Sequence, residues 1–239
     1  VKKNDYKIDG VDDLKEKPSV KFQTKYYWSM ALLLSFAVPL LIGLLFNRPI
    51  GGLLWGGVLR VTLVHHFTFF INSLCHFVGK KPYHMNTSAR DSWYMALFTF
   101  GEGYHNYHHK FQWDYRNGIK WYSFDPSKWI IKLLSYFKIT FNLRKASEQN
   151  IIKAKISTLN DKINSLANLL NIKRYREKTD MIMKQSSKHL KLWLDLDKKY
   201  KEMKRKKFDK YEQLMYEQKK KLYRMELHKS ISSLMLIFI

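Results

Sequence analysis

The sequence predicts an all-α protein: an integral-membrane helical hairpin, a cytosolic helical cap and a long basic C-terminal helix. Three observations carry this. Tyr27 to Phe46 is a run of twenty residues without a charge. As a helix it is about 30 Å long, the thickness of a bilayer core. A second apolar run, Pro49 to Gly79, carries one arginine, Arg60. Finally, no glycine follows Gly118 and no proline follows Pro126, so nothing in the last half of the chain interrupts a helix.

Residues 1–25 read as a polar lead-in, a loop with a short helix. The hairpin follows, at about 27–46 and 51–77, its tip at Asn47-Arg48-Pro49. The alternative, a buried hairpin in a soluble protein, needs a larger body than 239 residues provide. Excess lysine beside a span marks its cytoplasmic side. Seven lysines precede Tyr26, Lys80 and Lys81 follow the second span, and the tip has only Arg48, so both termini are expected in the cytosol. Arg60 is expected to snorkel toward the far interface. The single Cys75 excludes an internal disulfide and fits a reducing compartment.

Residues 80–150 form the cap, which completes a first domain, 1–150, with the hairpin. Asp125-Pro126 reads as an N-cap and first-turn proline. The helix it opens sets Trp129, Ile130, Leu133, Leu134 and Phe137 on one side, with Lys128, Lys132 and Lys138 between them. That pattern suits a helix in the membrane interface or one packed on its own domain. In the tail, 151–239, Ile152, Ile156, Leu159, Ile163, Leu166 and Leu170 form a heptad seam. It predicts self-association through 152–170. Residues 184–229 hold 16 basic and 7 acidic residues, which suits a solvated helix or one touching anionic lipid. No nucleic-acid-binding module is recognisable, despite a net charge of +23.

Seven of the nine histidines fall between His65 and His109. In GEGYHNYHHKF, His105, His108 and His109 stand at i, i+3 and i+4, on one face of a helix. Neutral imidazole is a good ligand for iron, zinc or copper. In INSLCH, Asn72 and His76 lie one helical turn apart near the cytosolic end of the second span. An intramembrane histidine is costly and needs a partner, here the triad at the same membrane surface. Glu102, three residues before His105, is placed to accept a hydrogen bond from a ligating imidazole. His65 and His66 are excluded: His65 lies about 16 Å deeper than His76 along the helix.

The blocks DLKEKPSVKFQTKYYW, LRVTLVHHFTFFINSLCHFVGKKPY and GEGYHNYHHKFQWDYR resemble the C-terminal half of the stearoyl-CoA (Δ9) desaturase family, over about residues 11–150. The family's third histidine box, H-N-x-H-H, is matched by His105, Asn106, His108 and His109. Its N-S-x-x-H motif is matched by Asn72 and His76. The resemblance implies that the four histidines ligate iron and that Asn72 approaches through a water. It implies two irons, O2, a long-chain acyl-CoA substrate, and electrons from cytochrome b5 and its reductase. The expected product is a cis double bond at Δ9.

The two spans would be the third and fourth of the family's four. The upstream histidine boxes, H-x-x-x-x-H and H-x-x-H-H, are absent here, so the chain is expected to be a fragment, inactive alone. Pro82-Tyr83-His84 replaces the family's P-Y-D, and Gln112 stands where F-P is usual. Tyr107 before the paired histidines points to the endoplasmic reticulum membrane rather than a bacterial inner membrane. The alternatives are a membrane lipid hydroxylase or sphingolipid desaturase on the same scaffold, and a non-catalytic membrane protein whose coiled tail binds partners.

Overall fold

A computed structural model describes residues 12–170, 173–205 and 210–236. Of the polar lead-in, residues 1–11 lie outside the described residues. The rest forms two short helices, α1 (Asp12–Lys15) and α2 (Pro18–Lys25). The chain divides into two compact units, Val1–Phe69 and Phe70–Ile239.

In the first unit, α3 (Tyr27–Leu45) turns into the apolar helix α4 (Pro49–Phe77), whose last residues from Phe70 on belong to the second. Both are long and apolar enough to cross a bilayer. A core helix of a soluble protein would be mostly covered, whereas 6% of each apolar window is buried. Asn47 closes the turn at φ 55, a left-handed conformation asparagine tolerates, and Arg48 N bonds Gly43 O at 2.7 Å. Small residues let the helices approach closely. A Cβ on Gly43 would lie 2.7 Å from Arg48 O and 2.9 Å from the Gly52 Cα. Both helices widen to π turns, at Leu33–Ala37 and Gly52–Leu59. Arg60 reaches back toward the tip, its Nε donating to Gly56 O at 2.8 Å.

In the second unit, α4 breaks at Ser73 (φ −117, ψ −78) and resumes as the turn Leu74–Phe77. Loop 78–92 is pinned by isolated bridges, Lys80 to Asp91 and Asp91 to Tyr104. Helices α5 (Trp93–Phe98) and α6 (His105–Lys110) follow. Helix α7 (Pro126–Tyr136) starts where the sequence predicts, with Asp125 Oδ1 accepting from Lys128 N at 2.9 Å. Its Trp129, Ile130, Leu133 and Phe137 are exposed. Lys128 departs from the expectation of a lysine lying between the apolar positions in an interfacial pattern. It is buried, and its ammonium donates to the carbonyls of Gly118, Lys120 and Ser123, because the preceding loop turns these carbonyls inward.

The tail corrects two expectations. Among the described residues it is not one long helix but three: α8 (Glu148–Leu170), α9 (Lys173–Arg205) and α10 (Lys210–Leu236). The seam residues Ile152, Ile156, Leu159 and Ile163 are buried against Leu190 and Trp193 of α9 and Leu227, Ile231 and Leu234 of α10. They are therefore not free to pair with a second copy. The physical reason is that α9 and α10 carry apolar stripes of their own, and folding back buries all three without an association step. Leu166 is 39% exposed, and the side chain of Leu170 lies outside the described residues.

Candidate metal centre

Three imidazoles meet in the second unit. His76 Nε2 lies 3.1 Å from His105 Nε2, and His109 Nε2 lies 3.2 Å from the same atom. One ligand atom from each of the three can be chosen so that all fall within 4.8 Å of one another. His105 and His109 come from successive turns of α6, and His76 from the last turn of α4. His108 flanks them, its ring stacked on His105 with centroids 6.0 Å apart. Asn72 is exposed and stands on the other side of the Ser73 break from His76, so the two do not share one uninterrupted turn as their spacing suggests.

The His76 ring is held from behind. His76 Nδ1 bonds Ser88 Oγ at 2.8 Å, which turns Nε2 toward the centre. Arg90 fixes that stretch of backbone, with its amide on Cys75 O at 2.8 Å and a guanidinium nitrogen on Gly79 O at 3.1 Å. His105 is buried, and its Nδ1 has no hydrogen-bond partner among the described residues. Glu102 accepts from Asn117 Nδ2 at 2.7 Å. His66 Nδ1 contacts Thr62 O at 2.9 Å, within its own helix.

Sequence reasoning gave Asn106 no role, yet it organises this region. Fully buried, it makes four hydrogen bonds. Oδ1 accepts from Tyr83 N (2.8 Å) and His84 N (3.2 Å), and Nδ2 donates to His84 O (2.8 Å) and Ala89 O (3.0 Å). It thereby clamps loop 83–89 to α6. The neighbouring residue is held too: Asp91 Oδ1 accepts from Tyr107 N at 3.0 Å, and the Tyr107 hydroxyl donates to Asp114 at 2.6 Å. An asparagine between two histidines in a short helix was the available signal. Ser88 left none.

The donors fit a transition metal. At a metal–nitrogen distance of about 2.1 Å, ligands at right angles have their nitrogens about 3 Å apart, close to the separations seen here. Ligating imidazoles must be neutral. Burial, then the like charges of His109, His76 and His108, pushes His105 down to about 4. Burial, followed by His108, also lowers His109.

The chain thus combines two apolar helices of membrane-spanning length with three histidines that could hold a metal ion. The fatty acid desaturase family profile matches residues 5–140, and the chain belongs to that family. It is 43% identical over 155 residues to acyl-CoA desaturase 1 of Saccharomyces cerevisiae, covering 64% of this chain and 30% of that protein. It is 42% identical over 144 residues to the probable acyl-CoA desaturase of Schizosaccharomyces pombe, covering 60% and 30%. With stearoyl-CoA desaturase 5 of Bos taurus it shares 34% over 153 residues, covering 62% and 45%. The chain thus spans under half the length of each of these relatives.

Proposed function

We propose that this chain is the C-terminal part of a membrane acyl-CoA desaturase that places a cis double bond, at Δ9, in a saturated long-chain acyl group. The observation that carries the reading is the convergence of His76, His105 and His109 within motifs that resemble those of the family. We assign His76, His105, His108 and His109 as iron ligands and Asn72 as a contact through water, with further ligands from upstream sequence. Two bound irons would supply the activation of O2 needed to remove hydrogen from an unactivated methylene. The residues here do the rest. Ser88 orients His76, Asn106 holds the loop over α6, and the depressed basicity of His105 and His109 keeps their nitrogens free to ligate. Glu102, which accepts from Asn117 Nδ2 rather than from an imidazole, is assigned as an outer carboxylate of the centre.

Residues 1–150 then form the desaturase portion, hairpin and cap together, and 151–239 a basic helical tail whose Ile151 and Ala154 pack on Tyr83, Tyr107 and Phe111 of the cap. The lysine excess flanking the spans supports cytosolic termini, in the endoplasmic reticulum membrane. A cytosolic centre suits electron delivery by cytochrome b5 and its reductase.

The test is product analysis. The protein containing this chain is expressed in microsomes and supplied with stearoyl-CoA, O2 and NADH. A cis-Δ9 product that disappears in His76→Ala is expected. A hydroxylated acyl product would instead favour the lipid hydroxylase reading.

A further inference from the structure

On the other side of α6 from the histidines lies a cleft of about 870 Å³, within the range of small-ligand sites. None of His76, His105 or His109 lines it. Its wall comes from the cap and from the tail helices α8 and α10 together, and it includes Lys80, Lys120 and Lys155. None of these three lysines forms an ion pair among the described residues. The arginines on the wall are engaged elsewhere, Arg116 by Asp114 at 2.7 Å and Arg224 by Glu148 at 2.6 Å. Tyr104 and Tyr122 add hydroxyl donors and ring surface.

We propose that this cleft binds a phosphate-rich anion through Lys80, Lys120 and Lys155. Ammonium groups are compact point charges that bind phosphate from many directions, whereas a carboxylate is better met by the planar fork of arginine. The arginines here already hold carboxylates, and the lysines do not. Asp91 lines the same cleft and attracts Lys155, but one carboxylate does not balance three ammonium groups on one concave wall, and the excess positive charge favours an anion. The imbalance shows at Lys155, whose ammonium is driven below its ordinary basicity by burial and then by Lys120, with Asp91 only partly opposing them. The same chemistry is offered by a soluble nucleotide and by a phosphorylated lipid headgroup. The proposal does not depend on the metal assignment, since the two sites share no ligand.

The experiment is calorimetric titration of the full chain in detergent micelles with adenosine triphosphate, inositol trisphosphate and, as a control, sulfate. Saturable binding of either phosphate probe, tighter than sulfate, is expected, and the tighter of the two identifies the source. Lys120→Ala with Lys155→Ala should weaken it about a hundredfold or more, since each removes a charge-assisted hydrogen bond. Lys120 is exposed, so Lys120→Glu tests the same point without risk to folding. Lys132→Glu, an exposed lysine outside the cleft, should leave binding unchanged. The proposal is overturned if neither probe exceeds sulfate. It also fails if Lys120→Glu binds like the wild type, or if Lys132→Glu weakens binding equally.

Discussion

His76 and His105 stand 29 residues apart in the chain, yet their Nε2 atoms lie 3.1 Å apart. Neither ring reaches that position by local geometry alone. His76 is turned by Ser88 and its backbone pinned by Arg90, while His105 sits on a helix whose loop is clamped by Asn106.

Ligand and orienter should therefore separate by experiment. His105→Ala or His76→Ala in the full-length protein should abolish desaturation and lower bound iron. Ser88→Ala removes only the bond that orients His76, and groups of this kind typically cost about tenfold or more in metal affinity. Asn72→Ala should cost less than either histidine if, as proposed, its contact runs through water. Iron content per protein, measured beside activity, distinguishes the three.

Asn106→Ala leaves four backbone groups without their partner and should destabilise the cap by about 3 kcal/mol or more. Asn106→Asp retains the acceptor for Tyr83 N and His84 N but loses both donations. Its melting temperature should fall between those of the wild type and the alanine variant. Equal melting of all three would remove the clamp from the account.

Asp91 gives the cap a pH dependence of definite sign. Burial pushes its carboxyl up to about 7, against the softening effect of the Tyr107 and Asn106 amides. Between about 4 and 7 the folded chain holds a proton that the unfolded chain has released. This contribution to stability is complete at low pH and is lost as pH rises through about 7. His105 and His109 titrate in the opposite sense across part of this window, so the measurement is a difference. Wild type minus Asp91→Asn melting temperature should decline from pH 5 to pH 8.

What could be read from the sequence was what is local in it. A charge-free run as long as a bilayer is thick, an Asp-Pro helix start and histidines at i, i+3 and i+4 each need only neighbouring residues to be recognised. Asn106 could not be read this way, because its partners lie 17 to 23 residues back and only the folded loop brings them to it. Lys128 sat in a register that looked interfacial, and its three carbonyl partners became visible only once the preceding loop was folded. The seam from Ile152 showed that α8 needs an apolar partner without showing which. Since no glycine or proline marks the ends of α8 and α9, the return of the chain on itself left no trace in composition.

The hairpin depends on the absence of side chains at one crossing. A Cβ on Gly52 would collide with Pro39 O, and one on Gly43 with Arg48 O. Gly52→Ala should thus loosen the contact at a cost of about 2 kcal/mol. Disulfide trapping between cysteines placed at Pro39 and Gly56, which are adjacent across the crossing, reads the effect. Slower trapping is expected, and an unchanged rate would show that the helices cross elsewhere.

The tail bundle depends most on Trp193, which is 1% exposed and packed in the common core of α8, α9 and α10. Trp193→Ala leaves a large void and should cost about 3–5 kcal/mol. The indole Nε1 is buried without a hydrogen-bond partner, so part of what the ring contributes is offset by an unsatisfied donor. Trp193→Phe removes that donor along with some volume and should lose far less. The helical circular dichroism signal on heating resolves the two. If the seam instead mediated pairing between chains, both variants would change the oligomeric state. With all three helices closing on one core, Trp193→Ala should lower the melting temperature while sedimentation reports the same mass as the wild type.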